Sequence, residues 1–280
     1  MNIEIAIKEA CKELKNYQIG SALLDSELLL STVIKKDRKY ILLNLDIELD
    51  QNDQDNFKDL ILKRSRGKPL AYLTGTKSFW KYDFKVNEKV LIPRPDTEII
   101  IEQVLKTYKN KEYLNFLEIG VGSGCIALSI LKEKKYFFGT GIDLSQECIE
   151  ICRYNAKKLG VNKRIKLFKS DVDNLIFGKY DLIVSNPPYI KKFDLNKLNR
   201  DVIDYEPKMA LDGGLEGLSV IRKVIKKSSE LIKTNGKLIL EIGHDQKEFV
   251  KKMLKANNFY VNKTLKDLAK NDRCIISTKI

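Results

Sequence analysis

Apolar positions recur every three or four residues through the first quarter of the chain, and the period then changes. Ile3, Ile7, Ala10, Cys11 and Leu14 fall on one face of a helix, and further amphipathic runs follow from Leu23 to Ile34 and from Gln51 to Arg64. No strand pattern interrupts them, so residues 1–75 predict a small helical domain, an architecture that more often binds a partner than performs chemistry. Between Lys77 and Pro93 aromatic and β-branched residues dominate (Phe79, Trp80, Tyr82, Phe84, Val86, Val90, Ile92). That pattern predicts a β-hairpin turning at Asn87-Glu88, within a linker over residues 76–95. Pro93 and Pro95 then hold the backbone extended, and Asp96 or Thr97 is placed to cap a helix whose first turn carries Glu98.

Over residues 96–280 short apolar runs alternate with helical stretches. The runs Tyr113–Ile119, Phe137–Ile142, Ile165–Phe168, Tyr180–Ser185 and Lys237–Ile242 predict a mainly parallel sheet covered by helices on both faces, an α/β domain. Two last runs, Phe259–Lys263 and Arg273–Lys279, lie close together and predict an antiparallel pair.

Composition narrows the partners only slightly. The formal charge is +13, yet nine of the 51 basic residues are arginine and the lysines are spread along the whole chain. Arginine is the favoured reader of phosphate forks and base edges, so the charge permits a nucleic-acid partner without requiring one. The five cysteines are odd in number and scattered, and His244 is the single histidine. They predict reduced, mostly buried thiols and no metal site; Cys148 and Cys152 share a helix face as core residues. Charged residues break the stretch Met1–Leu14 where a signal peptide needs an apolar run, and no stretch approaches the roughly 20 apolar residues of a membrane span. A cytoplasmic protein without a membrane partner is expected.

The first strand of the α/β region runs into Glu118-Ile119-Gly120-Val121-Gly122-Ser123-Gly124, and a helical segment begins at Cys125. Glycines at a strand-to-helix turn let the backbone approach a ligand closely and present a helix N-terminus to it, which suits a nucleotide-type cofactor. The dinucleotide fingerprint needs its third glycine at position 125, where cysteine stands; the glycine comes one residue early, in a GxGxG spacing. The next two strands end at Asp143 and at Asp171, beside Val172. Three acids at the carboxyl edge, Glu118, Asp143 and Asp171, suit the positive sulfonium of S-adenosylmethionine and would repel a triphosphate, and no GxxxxGK[ST] run is present. Asp143 is placed to take ribose hydroxyls; the competing role for each aspartate is to cap the helix after its strand.

The fourth strand runs directly into Asn186-Pro187-Pro188-Tyr189. Two prolines lock the backbone and remove two N–H donors while leaving carbonyl acceptors free. The Asn186 side-chain oxygen and the Pro187 carbonyl can together accept both hydrogens of a planar –NH2 group, on whose face the Tyr189 ring is expected to stack. Such a nitrogen has a delocalised lone pair, and orientation with fixed acceptors is what its methylation requires. Asn186, Pro187 and Tyr189 are therefore the candidate catalytic residues, and Asn186 to Tyr189 the candidate substrate site.

With these motifs the chain resembles the HemK family of protein-glutamine methyltransferases that modify peptide chain release factors. The resemblance also rests on Arg66-Gly67-Lys68-Pro69-Leu70-Ala71-Tyr72-Leu73-Thr74-Gly75, on Leu91 to Glu98, on Tyr205-Glu206-Pro207, on Ala210 to Gly214, and on Asp267-Leu268 with Asn271-Asp272-Arg273. It implies a helical N-terminal domain hinged to a Rossmann-like, seven-stranded class I methyltransferase domain. It also implies methyl transfer from S-adenosylmethionine to the glutamine nitrogen of a Gly-Gly-Gln loop, leaving S-adenosylhomocysteine. By position, Gly120 to Gly124, Asp143 and Asp171 would hold the cofactor, with Glu118, Val172 and Asn186 also counted to its site, and Asn186 to Tyr189 the glutamine amide. Position 172, aromatic in some relatives, is Val172 here, so adenine packing is weaker or supplied by another residue. The rival is methylation of an exocyclic amine of adenine or guanine in DNA or RNA, which the same acceptors would hold. Direct nucleic-acid binding is not expected, because no arginine-rich recognition module is visible. His244 is expected in a turn.

Overall fold

The computed structural model describes all 280 residues, Met1 to Ile280. The chain divides into two compact units, one of Met1–Thr76 with Asn199–Tyr205 and one of Lys77–Leu198 with Glu206–Ile280.

The smaller unit is helical: α1 (Ile3–Asn16), α2 (Ala22–Ile34), α3 (Arg38–Leu43), α4 (Gln51–Ser65) and α5 (Leu70–Thr74). The predicted face of α1 is the buried one, and Ile3, Ala6, Ile7, Ala10 and Leu14 pack against Leu29, Leu30, Ile41, Phe57 and Ile61. Asn2, Asp37 and Asp50 cap α1, α3 and α4 by accepting a backbone N–H in the first turn. Two carboxylates are buried beside this core, and each has an arginine: Asp25 bonds Arg64 at 2.7 Å and Glu27 bonds Arg38 at 2.7 Å. The short helices α3 and α5 were not legible in the periodicity, since neither is long enough to show a repeat.

The larger unit opens with a two-stranded hairpin, β1 (Thr76–Phe79) and β2 (Tyr82–Lys85), followed by α6 (Glu98–Thr107). The hairpin is displaced from its expected position. Its turn is Trp80-Lys81, where Trp80 takes a positive φ of 57°, and not Asn87-Glu88. A two-residue hairpin loop needs left-handed backbone, and tryptophan gives no sign of it. Tertiary contacts hold the turn: the Trp80 backbone N–H donates to Glu98 at 2.6 Å, and the indole N–H and the Tyr82 hydroxyl donate to Glu133 at 2.9 and 3.1 Å.

The main sheet is built from β3 (Leu114–Ile119), α7 (Cys125–Glu133), β4 (Phe137–Asp143), α8 (Gln146–Lys158), β5 (Ile165–Lys169), β6 (Tyr180–Ser185), α9 (Arg200–Tyr205, counted with the smaller unit), α10 (Ser219–Leu231), β7 (Ile232–Glu241), α11 (Lys247–Ala256), β8 (Phe259–Lys266) and β9 (Asp272–Lys279). Its order is β5-β4-β3-β6-β7-β9-β8. The first five pair in parallel and β9 runs antiparallel between β7 and β8. Side chains alternate between two cores: Phe116, Leu182, Val184 and Ile239 face one, with Ile100, Ile130 and Ile149 of α6, α7 and α8, while Leu117, Ile183, Leu238 and Leu240 face the other, with Val224 of α10 and Val250 of α11. Burial on both faces is why these strands read as continuous apolar runs. The strand order reverses between β3 and β6, and the crevice at their carboxyl ends is where such sheets hold ligands. No helix is long and apolar enough to cross a membrane.

Candidate active site

The loop after β3 shows why its glycines stand where they do. Gly120, Gly122 and Gly124 have φ of 78°, 51° and 83°, a region that costs other residues strain. A side-chain carbon at Gly124 would also lie 2.6 Å from Cys152 Sγ and 2.7 Å from Leu128 Cδ1, so this glycine lets α7 pack against α8. At Gly120 and Gly122 the same carbon meets nothing within 4 Å. Those two positions face open space of the kind a ligand fills.

The acids at the strand ends each serve the backbone and the cavity together. Asp143 accepts from the Gly122 N–H at 2.9 Å and the Ser145 N–H at 3.0 Å, tying the end of β4 to the glycine loop, and burial raises its pKa. Glu118, 1% exposed, accepts from the Ala127 N–H in the first turn of α7 at 2.8 Å, and burial raises its pKa well above the usual range. Asp171 accepts from the Asp173 N–H at 3.0 Å as the cap of a short 3-10 turn, which buries Val172. For Glu118 and Asp171 the capping role and the lining role set against each other in the sequence are thus compatible, because each carboxylate oxygen has a second lone pair, whereas α8 after Asp143 is capped by Ser145.

The glycine loop, except Gly124, and the three acids line one cavity of about 450 Å³ over the carboxyl edge of β3, β4 and β6. Glu118, Gly120, Val121, Gly122, Ser123, Asp143, Asp171 and Val172 line one part; Asn186, Pro187 and Pro188 line another, with Thr97 and Arg94. The structure therefore brings the glycine loop, the three acids and the Asn-Pro-Pro corner to a single space. Gly124 lies behind it. The acids and the open glycine face suit a cationic cofactor with hydroxyl groups. No group of three or more His, Cys, Asp or Glu side chains is disposed to hold a metal ion.

At the corner itself, Asn186 Nδ2 donates to Thr97 Oγ1 at 3.1 Å. Neither Asn186 Oδ1 nor the Pro187 carbonyl is engaged in a hydrogen bond within the chain, so two acceptors are free at the cavity wall. Tyr189 is placed differently from the expected stacking partner. It does not line the cavity; its hydroxyl donates to Glu241 at 3.1 Å, its ring lies 5.9 Å from the Arg273 guanidinium, and burial pushes its pKa up. Its carbonyl accepts from Gln246 Nε2 at 2.9 Å, which fixes the loop from behind.

Comparison with known proteins gives the chain its family. A family model of the PrmC N-terminal domain matches residues 6–75, and one of the methyltransferase small domain matches residues 96–205. The release factor glutamine methyltransferase of Clostridium acetobutylicum is 36% identical over 282 residues, covering 100% of this chain and 99% of that relative. The chain belongs to the release factor glutamine methyltransferase family. A member from Caulobacter vibrioides is 35% identical, over 95% of this chain and 92% of its own length. The bifunctional methyltransferase of Rickettsia conorii is 33% identical over 100% of this chain, which spans 58% of that longer relative. Among solved structures, a methyltransferase from Pyrococcus furiosus aligns with a TM-score of 0.54 at 23% identity over 80% of this chain and 98% of its own. A ribosomal protein L11 methylase from Lactobacillus delbrueckii subsp. bulgaricus gives 0.52 at 18% identity over 69% and 82%. These two speak for the fold alone.

Several residues of the family-like stretches gain a place that the sequence did not assign. Thr97, expected as a helix cap, makes no capping bond and instead receives the Asn186 amide. Arg94 pairs with the buried Glu206, whose other oxygen accepts from the Ile92 N–H at 3.3 Å, so the stretches Leu91–Glu98 and Glu206–Pro207 meet at the cavity. Asn155 of α8 holds Lys85 through its N–H and carbonyl at 2.8 and 3.0 Å and the Ser123 carbonyl at 2.9 Å, pinning the hairpin to the glycine loop. Glu241 ends β7 at the same sheet edge as the other three acids. That shared position was the available signal; His244 lies three residues further on, past the end of the strand.

Proposed function

We propose that the chain transfers a methyl group from S-adenosylmethionine to the side-chain amide nitrogen N5 of the glutamine in the Gly-Gly-Gln motif of peptide chain release factors, in the cytoplasm, supporting translation termination. The observation that carries this reading is the pair of unengaged acceptors, Asn186 Oδ1 and the Pro187 carbonyl, at the wall of the cavity that the glycine loop also lines. The names of the relatives favour glutamine in a release factor over an amine of a nucleic-acid base.

Bound along Gly120–Gly124, Asp143 and Asp171, the cofactor supplies an electrophilic methyl group and leaves as S-adenosylhomocysteine. The work of the protein is orientation. Asn186 Oδ1 and the Pro187 carbonyl each accept one N–H of the glutamine amide, which fixes the plane of the –NH2 group and aims the nitrogen at the methyl-bearing side of the cavity. As the nitrogen gives its electron pair to the new N–C bond, both N–H groups become more acidic, and the two acceptors stabilise that growing positive charge more than they stabilise the ground state. One of the nitrogen's own two protons is then lost to solvent, which leaves the neutral N-methyl amide. Prolines at 187 and 188 keep the acceptor carbonyl from being drawn into a local hydrogen bond.

The test is incubation with labelled S-adenosylmethionine and either unmodified release factor or unmodified DNA and RNA, followed by mass spectrometry of the product. One methyl group on the glutamine of the Gly-Gly-Gln motif is expected. Label found in nucleic acid alone would refute the proposal.

A further inference from the structure

Behind the Asn186–Tyr189 corner lies a buried carboxylate that the transfer chemistry leaves unused. Glu241, the last residue of β7, is 1% exposed, and its two oxygens are unequally served. Oε1 accepts from the Tyr189 hydroxyl at 3.1 Å, whereas Oε2 is buried without an aligned donor. The Thr97 hydroxyl lies against the same carboxylate and favours its charged form. Thr97 is 2% exposed, borders the cavity, and receives Asn186 Nδ2 at 3.1 Å. At the far end Arg273 Nη1 donates to the Tyr189 oxygen at 3.3 Å and to the Ile242 carbonyl at 3.3 Å.

The hydrogens available give this chain a direction. Guanidinium only donates and an ionised carboxylate only accepts, so Tyr189 accepts from Arg273 and gives its single hydrogen to Glu241. Thr97 also has one hydrogen. Turned toward the carboxylate, it leaves only lone pairs for Asn186, and only the NH2 end of the Asn186 amide can meet them. The two ends of an amide are nearly equal in shape, so packing alone does not choose between them. The opposite choice would present a donor to the substrate –NH2 and remove one of the two acceptors.

We infer that Glu241 is a positioning residue for the transfer: through Thr97 it keeps the Asn186 amide turned with Oδ1 toward the cavity, and through Tyr189 it anchors the other end of the same corner. This inference rests on the reading that Asn186 holds the substrate amide. Protonation of Glu241 undoes the arrangement. An O–H on the unmatched Oε2 can donate to Thr97, whose own hydrogen is then free to turn to Asn186 and attract Oδ1. Burial pushes the pKa of Glu241 up to about 7, so the change falls in a range an assay can reach. The charged and titratable groups around Glu241 are Asp96, Tyr189 and Arg273, together with Cys125 and Cys274. Burial raises the pKa of Tyr189 and of both thiols, and Arg273 stays cationic.

The experiment compares wild type with Glu241→Gln, Thr97→Val and Thr97→Ser, assayed on unmodified release factor between about pH 5.5 and 9. Glu241→Gln and Thr97→Val are expected to lower kcat about tenfold or more, with cofactor Kd and substrate KM within about twofold, and their combination to be no worse than about threefold below either. Thr97→Ser keeps the hydroxyl and is expected within about twofold of wild type. Wild-type kcat should fall on the acid side of about pH 7, and that limb should be missing in Glu241→Gln. A Glu241→Gln enzyme with wild-type kcat and an unchanged acid limb overturns the inference. Should that variant misfold by circular dichroism, equal rates for Thr97→Val and Thr97→Ser overturn it instead. A wild type that methylates no glutamine defeats the parent reading, and the amide orientation is then read directly. The Asn186 side-chain NH2 signal in nitrogen-15 NMR, assigned by its loss in Asn186→Ala, should titrate with pH in wild type and not in Glu241→Gln. A signal constant over the whole range overturns the inference.

Discussion

Replacing Gly124 by alanine should reduce stability, whereas the same change at Gly122 should reduce binding, and the contrast tests how the cofactor loop is built. Gly124 has φ of 83°, and the new carbon would sit 2.6 Å from Cys152 Sγ and 2.7 Å from Leu128 Cδ1. Left-handed backbone costs a non-glycine residue roughly 1–2 kcal/mol, and overpacking a close-packed contact adds about 1–3 kcal/mol. The sum is about 2–5 kcal/mol, which for a unit of this size lowers Tm by about 5–15 °C. Gly122 has φ of 51° and nothing within 4 Å, so only the backbone part applies and Tm should fall by only about 2–6 °C. Its methyl group, however, projects from the cavity wall next to the N–H that Asp143 accepts. A clash there of about 1–3 kcal/mol corresponds to a cofactor affinity roughly 5- to 150-fold weaker. Thermal melts without ligand and isothermal titration with S-adenosylmethionine and S-adenosylhomocysteine separate the two effects. A Gly122→Ala protein that melts as early as Gly124→Ala yet binds with wild-type affinity would show that the open face of the loop is not where the ligand lies.

Three further outcomes follow from the structure. Asn186→Ala removes one of the two free acceptors and is expected to lower kcat by about 10²–10³ while leaving cofactor affinity nearly intact; single-turnover rates and titration check it, and unchanged turnover removes the role assigned to Asn186. Arg64→Met leaves Asp25, 3% exposed at its side chain, without its 2.7 Å partner, which should destabilise the helical unit by about 3–5 kcal/mol; hydrogen exchange in α1, α2 and α4 reports it, and unaltered protection sinks the argument. Glu241 adds a pH dependence of stability whose sign is the reverse of the usual carboxylate. Its folded pKa of about 7 lies above the 4.5 of a free glutamate carboxyl, so the native state holds the proton more tightly than the unfolded chain does. The associated stability is fully present below about pH 4.5 and is lost as pH rises through about 7, by an amount on the order of 3 kcal/mol. Denaturant titrations of wild type against Glu241→Gln across that window should differ in slope, and parallel curves would mean that the carboxyl is not buried as described.

What the chain determined by itself is the part written in short-range pattern. Helices α1, α2 and α4 follow from apolar spacing, and the strands from Leu114 to Ser185 follow from runs buried on both faces. The glycine loop is legible because its φ values forbid side chains, and the Asn186–Tyr189 corner because consecutive prolines after a strand have few other uses. Tertiary structure alone decided which groups answer one another across the chain. Asn186 meets Thr97 from 89 residues away, Arg94 meets Glu206 from 112 away, and Tyr189 meets Glu241 from 52 away. The same holds for the hairpin turn at Trp80, whose left-handed backbone is held by Glu98 and Glu133. Periodicity, capping and turn preference are set by neighbours within a turn or two of chain. The choice of a partner for a buried polar group is made when the sheet closes and water is excluded, because an unpaired group there carries the full cost of its lost hydration.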